Sequence, residues 1–243
     1  MSSQSIDLLK FQDQKSLATA AAKAWIRAVT EAQQAGRLHY VALSGGRIVR
    51  ELYHVVVEEA RAQKTNFTEV HFFWGDERCV SPDDSESNFG TAKALLFEPL
   101  GVSTGQVHRI RGELPPGEAV RGINSEVLRL LPHDASGRPV FDLIFLGLGE
   151  DAHVASLFPG ASPDVVEAEG PFLPVTGPKP PPQRITMSYR TIAAARAVWV
   201  LASGAGKEKA LRDSLAPNSA TPLGRVIGSR LSTRIFTDIE NTR

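Results

Sequence analysis

The sequence predicts an α/β fold of the Rossmann-like type, in which helices cover both faces of a mostly parallel sheet. Four short runs are continuously apolar, as is typical of strands buried on both faces. Each run is followed by a polar or glycine-containing turn and then a helical pattern, which indicates parallel strands joined through helices. The 243 residues are enough to bury a large core. We expect residues 1–243 to form one domain.

The predicted elements alternate along the chain. An alanine-rich stretch over residues of about 15–35 carries apolar residues at helical spacing, and we expect this face to pack on the sheet. The predicted strands are 38–43, 70–74, 141–146 and 197–202. The predicted helices that follow them carry Val49 to Val57, begin near Asn88, form a short segment beyond Asp151, and carry Leu211 and Leu215.

Two segments are predicted to be loops. Residues 75–87 are polar, and we expect a loop there. Residues 160–183 contain prolines at positions 163, 171, 174, 178, 180, 181 and 182, which argue against a helix. We expect extended chain along the surface, within the same domain, because a strand-like run at 184–188 follows it.

Charge and cysteine content limit the partners and the compartment. The 27 basic and 27 acidic residues give no net charge, so we expect no nucleic-acid or membrane partner. The lone Cys79 cannot form an internal disulfide, which suits a reducing compartment. The first 15 residues lack the apolar core of a signal peptide. We expect a cytoplasmic protein that is a monomer or a small homo-oligomer.

The predicted topology also predicts where a ligand binds. Open parallel sheets hold their ligands at the carboxyl ends of the strands. That rule gathers four sequence-distant turns at one edge, namely 44–47, 75–88, 147–153 and 203–207. We expect the functional site there.

The turn at 147–153 contains the most informative residues. His153 lies two residues after Asp151, whose carboxylate can orient the imidazole as a general base. The alternative interpretation is a loop histidine without a chemical task. The position of His153 at the predicted ligand edge favours its interpretation as a general base.

The first turn is a candidate anion site. Ser44, Gly45 and Gly46 lie between a strand and a helix, where backbone amides and the helix N-terminus attract anions. Arg47 and, in the last turn, Lys207 can contribute positive charge. The alternative is that the glycines serve only the tight turn and that both cations are solvated.

The second turn combines charges of both signs. Within residues 74–78, Arg78 can bind a phosphate through two nitrogens, and Asp76 can order the loop or take a proton. The alternative is a local surface ion pair, which contributes about 0–1 kcal/mol to stability.

Several site types lack their sequence signatures. The glycines at 147 and 149 have no third partner, which excludes the dinucleotide fingerprint. The six histidines include no pair at the spacing of a zinc helix. Ser44 and Ser156 lack the flanking glycines of a nucleophile elbow, which argues against a serine hydrolase at these residues. These residues therefore indicate neither a metal site nor a nicotinamide site.

Taken together, these segments resemble the 6-phosphogluconolactonase family. The matching segments are Ala42 to Gly46, Trp74 to Arg78, Ser87-Asn88, Leu146 to Gly160, Arg184 to Met187 and Gly204 to Lys207, in that order. The resemblance covers almost the whole chain. It implies hydrolysis of 6-phosphoglucono-1,5-lactone, a small phosphorylated sugar lactone, to 6-phosphogluconate, without a metal or an organic cofactor.

The resemblance also implies roles for the site residues. His153, oriented by Asp151, would activate water, and Arg78 or backbone amides would stabilise the oxyanion. The expected phosphate-binding residues are Ser44, Gly45, Gly46, Arg184 and Lys207, with Arg47 as an added contact. Asn88 would order the loop or bind a sugar hydroxyl, and Asp76 is also expected among the substrate-binding residues.

Two other functions stay open. The related amino-sugar-phosphate isomerases and deaminases resemble this chain, but their pattern has a glutamate five residues after the histidine, where this chain has Phe158. A non-catalytic sugar-phosphate sensor would have no need for both Asp151 and His153. The lactonase pattern has a glycine at the position of Ala152; if that position requires a positive φ, alanine introduces about 1 kcal/mol of strain.

Overall fold

The computed structural model describes residues 5–240; residues 1–4 and 241–243, the two ends of the predicted 1–243 domain, lie outside the described residues. The strands are β1 (Ser5–Lys10), β2 (His39–Leu43), β3 (Val70–Trp74), β4 (Asp76–Arg78), β5 (Leu143–Gly147), β6 (Phe172–Thr176), β7 (Gln183–Met187), β8 (Ala197–Ala202) and β9 (Ser232–Thr237). The helices are α1 (Gln14–Gln34), α2 (Arg47–Gln63), α3 (Asn88–Ala92), α4 (Glu98–Leu100), α5 (Pro116–Leu130), α6 (Pro163–Val166), α7 (Tyr189–Ala194), α8 (Glu208–Leu215) and α9 (Pro222–Gly228). A π-helical turn, Lys93–Phe97, joins α3 to α4, and Thr104–Gln106 is a 3₁₀ turn.

Six strands form the main sheet, in the order β1-β9-β8-β5-β2-β3. All of its neighbouring strands are parallel. The four strands predicted from apolar runs are β2, β3, β5 and β8, and they lie next to one another in the order β8-β5-β2-β3. The predicted α/β fold class is therefore confirmed.

Helices cover both faces of the main sheet. The predicted stripe of α1 packs on one face, where the Trp25 ring lies 6.4 Å from Phe72 of β3 and 5.2 Å from Phe145 of β5. On the opposite face Phe73 stacks on His108 at 4.5 Å. The His108 Nδ1 atom lies 2.7 Å from the Glu126 carboxylate of α5. Burial of apolar side chains on both faces explains why the central strands contain almost no polar residues.

The loop predicted at 75–87 and the extended loop predicted at 160–183 are both partly wrong. The first contains β4, and the second contains α6 and β6. Together with β7, the strands β4 and β6 form a small antiparallel sheet in the order β4-β7-β6. Pro174 fits inside β6 because an edge strand pairs on one side only and tolerates a residue without an N–H group.

The short helix predicted directly after Asp151 is also wrong. Residues 152–162 form turns, and the next helix is α6, which starts at Pro163. Ala152 and Ala155 have φ values of +68° and +50°. These left-handed conformations interrupt any helical repeat.

Two further features concern the described part of the chain as a whole. Its buried apolar residues form one continuous core cluster that spans the main sheet, the small sheet and the helices. Among residues 5–240, no helix has both the length and the apolar character needed to cross a lipid bilayer.

Candidate active site

The carboxyl ends of the parallel strands open onto a cavity of about 120 Å³. Its lining residues are Ser44, Gly45, Gly46, Arg47, Ile48, Asp76, Arg78, Asn88, Gly147, Leu148, His153, Ala155, Arg184 and Lys207. All four turns predicted to meet at this edge contribute residues to the cavity lining. Every candidate site residue lines the cavity except Asp151, which holds His153.

His153 and Asp151 form a close pair. The His153 Nδ1 atom lies 2.5 Å from the Asp151 carboxylate, and the same oxygen accepts a bond from the His153 backbone N–H at 3.3 Å. Burial raises the pKa of the Asp151 carboxyl, but the hydrogen bond and charge of His153 lower it more, so the net shift is downward. An ionised carboxylate only accepts hydrogen bonds, so Nδ1 is the donor and Nε2 carries the free lone pair. The pair can therefore accept a proton at Nε2.

A tight turn fixes the direction of this pair. The Gly149 N–H donates to the His153 carbonyl at 2.9 Å, and the Ala152 N–H donates to the Gly149 carbonyl at 3.0 Å. A Cβ atom on Gly149 would lie 2.1 Å from His153 Nδ1, so only glycine leaves room for the ring. The positive φ considered for position 152 is observed, at +68°, and Ala152 therefore carries backbone strain.

The first glycine turn is tied to its neighbours. The Ser44 Oγ atom accepts a bond from the Gly147 N–H at 3.2 Å, which joins the ends of β2 and β5. Gly46 has a φ of +94° and precedes the first residue of α2. Gly45 faces Asn88, whose Oδ1 atom would lie only 2.1 Å from a Cβ atom on this glycine. The turn thus presents backbone and a helix N-terminus to the cavity, an arrangement that suits an anion.

Asp76 and Asn88 contact the protein itself. The Asp76 carboxylate accepts a bond from the Ser156 hydroxyl at 2.6 Å, which fixes the segment after His153. The Asn88 Nδ2 atom donates to the Asp76 carbonyl at 2.9 Å. Both side chains are buried, with 5% of each residue exposed. Sequence analysis predicted two possible roles for Asp76 and two for Asn88. For both residues the geometry favours the role of ordering the loops.

Sequence analysis missed the structural task of Glu77. Its buried carboxylate accepts bonds from three backbone N–H groups, those of Arg78, Asn88 and Phe89, at 2.8–2.9 Å. The Ser87 hydroxyl adds a fourth at 3.3 Å. Burial raises the pKa of the Glu77 carboxyl to about 7, although these hydrogen bonds oppose the shift. No local motif signals such a task, because the partners lie in a loop that only folding brings back to β4.

Two arginines face each other across the small sheet. Arg78 of β4 is the register partner of Arg184 of β7. Arg78 donates to the carbonyl and carboxylate of Glu86, at 2.6 and 3.1 Å, and its buried Nε atom has no partner. Burial and the charge of Arg78 lower the pKa of the Arg184 guanidinium. An anion between the two would offset their repulsion.

A second pair of cations comes from helix starts. Arg47 is the first residue of α2, and Lys207 directly precedes α8. Burial and the charge of Arg47 lower the pKa of the Lys207 ammonium, while Asp238 and Glu150 oppose the shift. Asp238 also accepts bonds from the hydroxyl and backbone N–H groups at 203 and 204, and so fixes the loop before Lys207. Four positive side chains therefore line one small cavity.

A family model described as glucosamine-6-phosphate isomerases/6-phosphogluconolactonase matches residues 12–235. The chain belongs to this family. It is similar to the 6-phosphogluconolactonase of Treponema pallidum, with 34% identity over 76% of each chain. It is also similar to the 6-phosphogluconolactonase of Mycobacterium tuberculosis, with 35% identity over 83% of this chain and 82% of the relative.

A solved structure also supports the assignment to the isomerase/lactonase family. The crystal structure of 6-phosphogluconolactonase from Thermotoga maritima superposes with a TM-score of 0.81 and 26% identity. The match covers 96% of this chain and 99% of the family member's length. The fold is thus shared along nearly the entire chain.

Because the family model covers both isomerases and lactonases, the distinction between them depends on the site. Phe158 follows His153 by five residues, and its ring packs 4.9 Å from the His153 ring, so this position offers no carboxylate. The described residues contain no group of three or more histidine, cysteine, aspartate or glutamate side chains suited to hold a metal. In this family member, the side chains around the cavity offer one base, its carboxylate partner and four cations.

Proposed function

We propose that this protein hydrolyses 6-phospho-D-glucono-1,5-lactone to 6-phospho-D-gluconate, the second step of the oxidative pentose phosphate pathway. One observation carries the proposal: the His153–Asp151 pair borders a cavity lined by Arg47, Arg78 and two further cations. The pair supplies a base for water, and the cations supply binding for a phosphorylated substrate. The named relatives support the same reaction.

The first chemical step uses His153. The Nε2 atom takes a proton from water while the water oxygen bonds to the lactone carbonyl carbon, and the carbonyl oxygen becomes an oxyanion. Asp151 stabilises the imidazolium that forms. When the oxyanion collapses, the bond from the carbonyl carbon to the ring oxygen breaks. The ring oxygen takes the proton back from His153, which leaves the open-chain acid.

Arg78 is suited to stabilise the oxyanion. Its unpartnered Nε atom and its fixed hydrogen bonds to Glu86 place a charge at the cavity before the substrate arrives. Such preorganised donors gain strength in a site that excludes water, and removal of one typically lowers the rate about 100- to 1,000-fold. Backbone amides at the strand ends are the alternative donors.

The remaining cations and the first glycine turn would hold the phosphate. These residues are Ser44, Gly45, Gly46, Arg47, Arg184 and Lys207. Binding at this distant group fixes the lactone relative to His153, and orientation of this kind accounts for a large share of enzymatic acceleration. Asp76 and Asn88 would support the site by holding its loops.

Purified protein should hydrolyse freshly generated lactone faster than the spontaneous reaction, measured by following product acid. His153→Ala should lose nearly all of this increment. His54→Ala removes an exposed histidine from α2 and is the matched control, expected to retain wild-type rates. Equal rates for wild type and His153→Ala would exclude the proposed base.

The same preparation distinguishes the two other functions. Release of ammonia from glucosamine 6-phosphate would assign the protein to the isomerase and deaminase group. Binding of 6-phosphogluconate without turnover of lactone would indicate a sensor. We expect neither, because Phe158 provides no acid beside His153 and the base pair is intact.

A further inference from the structure

Phe158 lies between the two ends of the site. Its ring centroid is 4.9 Å from that of His153 on one side and 5.6 Å from the Arg184 guanidinium carbon on the other. Both neighbours line the cavity. One apolar ring therefore contacts the proposed base and one of the proposed phosphate ligands.

The turn between β6 and β7 seats this ring. A Cβ atom on Gly177 would lie 2.7 and 2.8 Å from two ring carbons of Phe158, so the ring fits only because position 177 has no side chain. The Gly177 N–H donates to the carbonyl of residue 182 at 2.7 Å and closes the turn. The same turn holds Arg184, whose Nε and Nη2 atoms donate to the carbonyls at 181 and 179, at 3.0 and 3.4 Å.

We propose that Phe158 is a positioning residue that, seated against Gly177, fixes the His153 imidazole and the Arg184 guanidinium relative to each other. The inference rests on the proposed lactonase function and gives the proline-rich turn at 177–182 a task in it. Arg184 is 6% exposed, so protein atoms such as these surround its side chain. Attraction between a guanidinium and an aromatic face supplies the link on that side, and ring packing supplies it on the side of His153.

Phe158→Leu tests the link by removing the ring and keeping an apolar side chain. We expect kcat/KM to fall about 10- to 100-fold, since displacements of about 1 Å at a reacting group have effects of this size. Both constants should change: kcat falls through His153, and KM rises about two- to fivefold through Arg184. A merely structural defect would lower the active fraction and leave KM unchanged.

Gly177→Ala displaces the ring without removing any polar group, and we expect the same pattern of change. Gly170→Ala is the matched control, because its Cβ atom would make only ordinary contacts at 3.5 Å. The double variant Phe158→Leu with Gly177→Ala should match Phe158→Leu alone, since the clash needs the ring. Additive effects, or equal behaviour of Gly177→Ala and Gly170→Ala, would overturn the proposal.

A readout independent of turnover separates this proposal from the lactonase function. The Phe158 ring should shift the NMR resonances of the His153 imidazole protons, and Phe158→Leu should remove that shift. The His153 resonances are assigned as those that are missing in His153→Ala. Binding of inorganic phosphate should weaken about two- to fivefold in Phe158→Leu. If wild type fails to hydrolyse lactone but both changes occur, the lactonase function fails and the positioning role stands. If wild type turns over and neither change occurs, the positioning role is wrong.

Discussion

At the scale of single residues, the hydrogen bond between Asp151 and His153 decides which imidazole nitrogen is free. The carboxylate accepts from Nδ1 at 2.5 Å. Nε2 is then the atom that can take a proton from water. The local sequence already contains both partners, but their contact requires the turn at Gly149 and the left-handed backbone at Ala152.

Asp151→Asn should lower kcat by about two to four orders of magnitude with little change in KM. An amide that donates to Nδ1 forces the proton onto Nε2, which then cannot act as a base. Steady-state kinetics with the lactone would check this. Asp164→Asn, at an exposed aspartate of α6, should match wild type. A full rate for Asp151→Asn would show that the carboxylate does not orient the ring.

Gly45→Ala should lower kcat/KM about 10- to 100-fold, because the new methyl group would lie 2.1 Å from Asn88 Oδ1 and force the first turn away from the start of α3. Lactone kinetics beside Gly105→Ala provide the comparison, since position 105 has open space around it. Similar kcat/KM values for Gly45→Ala and Gly105→Ala would mean that the reaction tolerates displacement of the first turn.

At the scale of elements, sequence analysis predicted β7 as the strand-like run at 184–188 but missed β4, β6 and their pairing with β7 in the small antiparallel sheet. This sheet carries Arg78 on β4 and Arg184 on β7, and it connects both to the turn at Gly177. Because β4 has only three residues and β6 contains a proline, neither has the apolar run that marks a strand. The pairing partners supply the order that the local sequence lacks.

Glu77 should make stability fall as pH rises. Its pKa is raised from 4.5 to about 7 in the folded protein. Between those values the unfolded chain releases its proton first, so the free energy of unfolding decreases with rising pH, by up to about 3 kcal/mol. The effect is absent below pH 4.5 and complete above about pH 7.

Urea unfolding of wild type and Glu77→Gln between pH 4.5 and 8 isolates this contribution, because the variant has no group to titrate at this position. The stability of wild type relative to the variant should decline across the range. A relative stability that rises with pH would mean that the four hydrogen bonds outweigh burial and keep the carboxylate ionised.

At the scale of the whole molecule, 27 basic and 27 acidic residues cancel, yet four cations line one cavity. Burial, together with repulsion from a neighbouring arginine, lowers the pKa of the Arg184 guanidinium and of the Lys207 ammonium. A neutral protein can thus bind a small anion strongly without attracting polyanions. The stability of the folded chain should therefore depend on such an anion.

6-Phosphogluconate at about 100 times its Kd should raise the thermal midpoint by about 5–10 °C, since binding to the folded state alone adds about 2.7 kcal/mol. Lys207→Gln should reduce this shift at a fixed ligand concentration. Lys209→Gln changes an exposed lysine two residues further along and should leave the shift unchanged. Thermal scans over a range of ligand concentrations give the comparison, and equal shifts in both variants would remove Lys207 from the site.

The sequence by itself determined the parallel core, the edge at which the turns meet and most residues around the cavity. These follow from local signals: apolar runs, glycine turns and polar residues at strand ends. β1, β9 and α5 lay outside the predictions. The two strands mix polar and apolar residues, and β1 gains its order from β9, which pairs with β8 on its other side. Only the tertiary structure decided that Arg78 faces Arg184, that Glu77 is buried under the backbone of Asn88, and that Phe158 bridges the site. Those contacts join residues far apart in the chain, and no local pattern encodes a distance that depends on how strands and turns pack.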